Sequence, residues 1–435
     1  MLSAFARAFR TPDLRRKLVF SLAIMALFRL GSFVPTPGID YGAVRTCVDQ
    51  VTKGGNANDL YGLVNLFSGG ALLQLSVFAL GIMPYITASI IIQLLTVVIP
   101  RFDALKQEGA TGTAKLTQYT RYLTIGLAVL QSTTLIAVAR SGTLFPNCTS
   151  DIMPNEGIVT IILMIITMTA GTGLIMWLGE LITEQGIGNG MSLLIFTSIA
   201  AGFPTSMWAI KASKGVEVML LIILVGLLIM ALVVFVEQSQ RRIPVQYAKR
   251  QIGRRMYGGT STYIPIKVNM AGVIPVIFAS SLLYLPALIV QFQRNKASAW
   301  SDWISTHLVR GDHPIYMISY FVLIVFFTYF YVAITFNPDE VAENMKKYGG
   351  FIPGIRAGRP TAEYLSYVLD RITLAGSLYL GAISMIPLIA LAWVGATQKF
   401  PFGGTSILIV VGVGLETVKQ IESQLQQRHY EGFLR

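Results

Sequence analysis

Residues 58–99 read NDLYGLVNLFSGGALLQLSVFALGIMPYITASIIIQLLTVVI. From 73 to 99 the stretch is apolar and long enough to cross a bilayer, which takes roughly 20 such residues. The part before it is different. Residues 59–73 are mildly apolar, carry Asn65 and Ser68, and hold Gly62, Gly69 and Gly70. That piece is too short to span and too apolar for an ordinary water-exposed loop. Asn58 and Asp59 suit a helix N-cap, and Gly69-Gly70 suits a stop, so residues 59–69 read as a half-helix. Irregular backbone at membrane depth persists only inside protein or along a water-filled cavity. The stretch therefore points to a polytopic protein with a short segment lodged in an internal cavity, or else to an amphipathic loop on the membrane surface.

The 435 residues are 53% hydrophobic and 13% charged. That balance excludes a soluble globular domain and implies repeated transmembrane spans. Ten stretches qualify: 18–35, 73–99, 117–139, 157–179, 189–209, 217–237, 268–290, 314–336, 373–395 and 403–420. Residues 1–17 hold five Lys/Arg, but the apolar run after them contains Arg29 and has no small-residue cleavage site, so the first span reads as a retained anchor. The N-terminal tail, every second connector and the C-terminal end carry 23 Lys/Arg, counting Lys419 at the close of the last span, against 9 on the other connectors. By the positive-inside rule both termini are cytoplasmic. Ten spans divide into residues 1–209 and 210–435. Five spans per half place the halves in opposite orientation, as in an inverted repeat.

Two cytoplasmic connectors are long. In 238–267, RIPVQYA and STYIPIKV alternate as strands do, on either side of the basic, glycine-containing RQIGRRMYGG, which suggests a β-hairpin-like projection. In 337–372, Asn337-Pro338-Asp339 can start a helix, and a Gly/Pro-rich turn then exposes Arg356 and Arg359. Structured basic loops suit an acidic or nucleic-acid partner; a solvated positive-inside loop explains the charge but not the alternation.

Enzymatic signatures are absent. GATGTAK at 109–115 lacks phosphate-loop spacing, no H-E-x-x-H or G-x-S-x-G occurs, and the three histidines fall in loops. Two cysteines, Cys47 and Cys148, are too few for a metal site. Intramembrane ionisable residues are few, with Arg29 inside a span, Arg121 near a span start and Glu180 at a span end, whereas ion-coupled transporters use buried relays of such groups. This favours a passive conduit driven from outside over a secondary transporter of small solutes with inverted repeats. Pro84 and Pro275 are expected to kink or break spans, and an apolar constriction there would block water by dewetting.

The runs GSFVPTPGID (31–40), 65–98, MWLGELITEQGIGNGMS (176–192), VQYAKRQIGRRMYGG (245–259), KVNMAGVIPVIFASS (267–281), FIPGIRAGRPT (351–361) and FGGTSILIVVGV (402–413) resemble the SecY family of bacterial protein-conducting channels, in the family's order. The resemblance implies an all-α polytopic fold of ten helices in two inverted halves, with a β-hairpin-like cytoplasmic loop. It implies a re-entrant plug at about 59–72: Asp59, Leu60, Tyr61, Gly62, Leu63, Val64, Asn65, Leu66, Phe67, Ser68, Gly69 and Gly70. It further implies an apolar pore ring of Ile82, Ile86, Met191, Ile195, Ile277 and Ile409, and a lateral gate near Thr87, Gln131 and Ser281. Met191 stands where isoleucine is commoner, and Gln74 replaces an expected arginine.

Arg254, Arg255, Arg356 and Arg359 are the implied docking residues for the ribosome or the SecA motor. SecE and SecG are implied small membrane subunits, and signal sequences, nascent polypeptides and membrane lipids implied contacts. No cofactor is implied; ATP hydrolysis is expected in the motor and not in this chain. Cys47 and Cys148 both fall on the outer side, where they either pair with each other, stay free, or pair with another chain.

Overall fold

The computed structural model describes residues 9, 11–54, 71–72, 74–140, 152–154, 157–247, 250–252, 255–257, 261–292, 299–309, 313–394 and 404–431. The expected plug and Cys148 lie outside these residues, as does Arg254. Long helices dominate, and a helix runs through each of the ten stretches read as spans, the fifth and sixth sharing one. Among the described residues, five helices are long and apolar enough to cross a membrane on their own, or six when a bent pair counts as one.

Helix α1, Pro12–Gly31, opens on a proline in its first turn and buries Leu14, Leu18, Ser21, Ile24 and Phe28 at intervals of three and four. Val19, Leu22, Leu27 and Leu30 on the other faces are exposed, which suits lipid more than water. Asp40 then caps α2, Tyr41–Gly54, through the Gly42 N–H at 2.8 Å.

The second span departs from expectation. Its helix α3 is only Met83–Val98; residues 74–82 form successive turns instead. The backbone there is tied to the chain after α1, since Pro35 bridges Ser76 and the Val77 N–H donates to the Val34 carbonyl at 2.9 Å. Leu75 at φ 46° and Gly81 at φ 56° enforce the turns. Pro84 lies in the first turn of α3 and Pro275 is the second residue of the helix Ile274–Phe292, so both prolines start helices and kink neither. A bend of 105° at Ile99 leads into α4, Pro100–Gln107. Next come α5, Ala110–Arg140, and α6, Ile158–Gln185.

Spans five and six are one hydrogen-bonded run, α7, Gly190–Gln238, interrupted by Gly215 at φ 88°, ψ 176°. The connector expected at 210–216 is helical up to that glycine, because Ala212 and its lysine neighbours favour helix and only Gly215 adopts this backbone easily.

In the hairpin, β1 (Gln240–Tyr247) and β4 (Ser261–Lys267) pair antiparallel from Gln240↔Lys267 to Gln246↔Ser261, as the alternation predicts. Ile243, Val245 and Ile266 face inward while Arg242, Pro244 and Tyr263 face out. A small second hairpin, β2 (Arg250–Ile252) with β3 (Arg255–Tyr257), forms the tip.

The rest comprises α8 (Ile274–Phe292), α9 (Ala299–Ile304), α10 (Pro314–Thr335), α11 (Pro338–Lys347, capped by Asn337), β5 (Gly350–Phe351), α12 (Arg359–Val394) and α13 (Gly404–Glu431). Strand β5, absent from the sequence reading, joins the free edge of β1 and gives the order β4-β1-β5.

The helices pack in a closed circuit: α3 on α5, α5 on α6, α6 on α7, α7 on α13, α13 on α12, α12 on α10, α10 on α8, and α8 back on α3.

Candidate pore and gate

A closed circuit of helices has an inside, and the question is what fills it. Ile82, at the turn before α3, Ile195 on α7, Ile277 on α8 and Ile409 on α13 are all buried in one hydrophobic cluster. Ile86 and Met191 pack against the same cluster, partly buried. All six residues of the expected ring therefore converge from four separate parts of the circuit. No single helix could supply them. Phe28, Phe78, Ile175, Leu178, Ile182, Leu194 and Ile199 thicken the cluster toward α1 and α6. Sequence reasoning passed over these; the spacing Ile195–Ile199 and Ile409–Val413, one helical turn each, was the available signal. Ile82 and Ile409 are each only 2% exposed, so branched aliphatic side chains pack this cluster tightly.

Met191 has a specific seat. A Cβ built on Gly179 of α6 would lie 2.4 Å from its Sδ, so the thioether rests on bare backbone. Gly190 is closer still, since a Cβ there would stand 1.9 Å from the Gly179 carbonyl oxygen. The Thr183 Oγ1 donates to the Gly179 carbonyl at 3.0 Å and accepts the Gly190 N–H at 2.9 Å. Asn189 caps the start of α7 by accepting from Met191 N–H at 3.1 Å and Ser192 N–H at 3.4 Å. The first turn of α7, which carries the ring residues, is thus bolted to residues 179–183 of α6.

The expected plug lies outside the described residues, but its exit is visible. The chain resumes at Ala71, which is fully buried in the cluster that holds Ile82. Nearby, Gln74 Oε1 is buried with no hydrogen-bond partner, and so is Thr36 Oγ1.

Of the residues expected at a lateral gate, Thr87 lies on α3, Gln131 on α5 and Ser281 on α8, and α3 packs against both α5 and α8. Thr87 Oγ1 donates to the Met83 carbonyl of its own helix at 3.0 Å. Ser281 Oγ on α8 is buried without a partner, and Gln131 on α5 is half-buried. One contact was missed altogether: Arg121 of α5 donates from Nε and Nη2 to the Glu180 carboxylate of α6 at 2.9 and 2.8 Å.

On the hairpin side, Arg255 is placed on β3. Arg356 is exposed in a turn between Gly354 at φ 84° and Gly358 at φ 107°, and its carbonyl accepts from Thr361 Oγ1 at 2.9 Å. Arg359 is exposed but ion-paired to Glu363 of its own helix at 3.1 Å. Cys47 is fully buried and disulfide-bonded.

The family model for SecY matches residues 76–418. A protein translocase subunit SecY from Streptomyces galbus is 68% identical over the whole of both chains. The solved structure of a SecY protein, whose plug domain is described as stabilising the closed state of the translocation channel, superposes with a TM-score of 0.59 at 19% identity, covering 94% of this chain and 91% of that one. Canine Sec61 in a ribosome-channel complex gives 0.56 at 17% identity, with the same coverage.

Proposed function

The chain belongs to the SecY family of protein translocase subunits, and from that premise we propose how it conducts polypeptides. The single observation that carries the reading is the convergence of Ile82, Ile86, Met191, Ile195, Ile277 and Ile409 inside the circuit of eight helices. Apolar side chains there exclude water and ions while offering no polar site at which a chain of arbitrary sequence could stall. Residues 59–70 back the seal as a plug. An unfolded secretory polypeptide enters from the cytoplasmic side, displaces the plug and passes as the ring yields around it.

The seam between α3 and α8, near Thr87, Gln131 and Ser281, is the sideways exit. Leaving by it is a partition step: Leu or Ile favours the bilayer by about 0.3 to 0.6 kcal/mol each, while a central charge costs about 2.5 to 3.5 kcal/mol. Signal sequences and membrane spans leave this way into lipid.

The platform bearing Arg254, Arg255, Arg356 and Arg359 docks the driving partner, a SecA-type ATPase or the ribosome, and SecE and SecG complete the complex. The setting is a bacterial cytoplasmic membrane with both termini on the cytoplasmic side. The test is transport into vesicles carrying the purified complex. Motor-dependent uptake of an unfolded preprotein is expected; saturable uptake of small solutes without a motor would overturn the reading in favour of a secondary transporter.

A further inference from the structure

Arg121 and Glu180 form a bidentate charge pair between α5 and α6. Two parallel hydrogen bonds join the guanidinium to the carboxylate, and Arg121 Nη1 also donates to the Gln118 side-chain oxygen at 3.1 Å. The pair is not on open surface, with the Glu180 side chain 18% exposed and that of Arg121 38%. Charged groups among membrane helices are costly and call for a role. General helix cohesion is one, but location argues for more. Glu180 is the next residue after Gly179, the seat of Met191, and lies in the same turn as Thr183, which holds the Gly190 N–H. Tyr85, between Ile82 and Ile86 on α3, is within electrostatic reach of both charges. Residues 179–183 of α6 therefore touch α5 on one side and the ring-bearing turn of α7 on the other.

We propose that the Arg121–Glu180 pair is a positioning latch: by fixing α6 against α5 it sets the seat on which Met191 closes the ring, and so couples the α5 side of the gate to the seal. The proposal rests on the pore-ring reading above. The fork geometry matters, because only a planar guanidinium meets a carboxylate through two parallel bonds and fixes rotation as well as distance. When the gate parts and α5 shifts, the pair drags residues 179–183 and withdraws the support beneath Met191.

The experiment uses the assembled translocase in vesicles and has two readouts: ion leak of the closed channel, and the rate at which a cysteine introduced as Met191→Cys is alkylated without reductant, above the background of the same complex with Met191 intact. Arg121→Gln and Glu180→Gln should each raise both readouts about tenfold. Arg121→Lys, which keeps the charge and loses the fork, should fall between. The exchange Arg121→Glu/Glu180→Arg, in which the Gln118 amide can turn to donate, should restore both to within about twofold. Faster alkylation without leak supports the latch and refutes the ring. No change in either readout, or an exchange that fails to restore them in a normally assembled complex, overturns the latch.

Discussion

Gln246 and Phe351 stand opposite each other in an antiparallel ladder, although membrane-crossing helices separate them in sequence. That pairing, with Tyr247 opposite Gly350, joins the two long loops, 238–267 and 337–372, in one platform. Ile243, Val245 and Ile266 of the hairpin share a core with Ile352, Leu365 and Val368 of the second loop, so the platform has an interior of its own. Arg356 projects from a turn that this core holds still.

That platform makes its arginines separable by experiment. Arg356→Glu should slow motor-driven export by about three- to tenfold with unchanged assembly, because it reverses an exposed charge, ion-paired to none of the described residues, at the proposed docking surface. Arg359→Glu should do less, since Arg359 already neutralises Glu363. Export kinetics of a preprotein by purified complex check both, and equal effects would count against this division.

Replacing Ile82, Ile86, Ile277 and Ile409 together with serine should let ions through the resting channel. Four hydroxyls in the cluster would admit water where branched carbons now exclude it. Conductance in planar bilayers decides the matter, with Ile409→Ser alone expected to give an intermediate leak.

The seat of Met191 predicts an asymmetry between two glycines. Gly179→Ala pushes on the flexible end of a side chain and should cost about 1 to 3 kcal/mol, relieved by adding Met191→Ala. Gly190→Ala drives a methyl into the Gly179 carbonyl, which cannot move aside, and should cost more with no relief from Met191→Ala. Thermal unfolding of the solubilised protein would rank the two single and two double variants.

Cys47 is disulfide-bonded at a buried position beside Val44, Ile152 and Met153. The Asp40 N–H donates to the Ile152 carbonyl at 3.1 Å, which holds the segment after Cys148 close to α2. Pairing with Cys148 is therefore expected. Denatured, unreduced protein should show no free thiol and reduced protein two. Cys47→Ser should destabilise the fold by about 2 to 4 kcal/mol. Two reactive thiols before reduction would refute the bond.

Much of this was legible in the chain because hydrophobic length and alternation are local signals. The spans and the β1–β4 hairpin follow from them directly. The ring required likeness to a family, since nothing in GIMPYIT says which way Ile82 faces. Three features escaped for a common reason. The Arg121–Glu180 pair, the two-residue strand β5 and the seat of Met191 on Gly179 each depend on what lies opposite in space. The early end of the helical pattern at 74–82 escaped differently: those residues are apolar enough to span, but their backbone is recruited by Val34 and Pro35.

Gly215 has a last consequence. On the reading of two halves, the polypeptide passes from one to the other through a residue whose added methyl would touch nothing within 4 Å. Such a junction bears tension but little torque, like a knot in a string between two rods. A change of angle between the helical stretches on either side can be taken up at Gly215 without displacing a side chain.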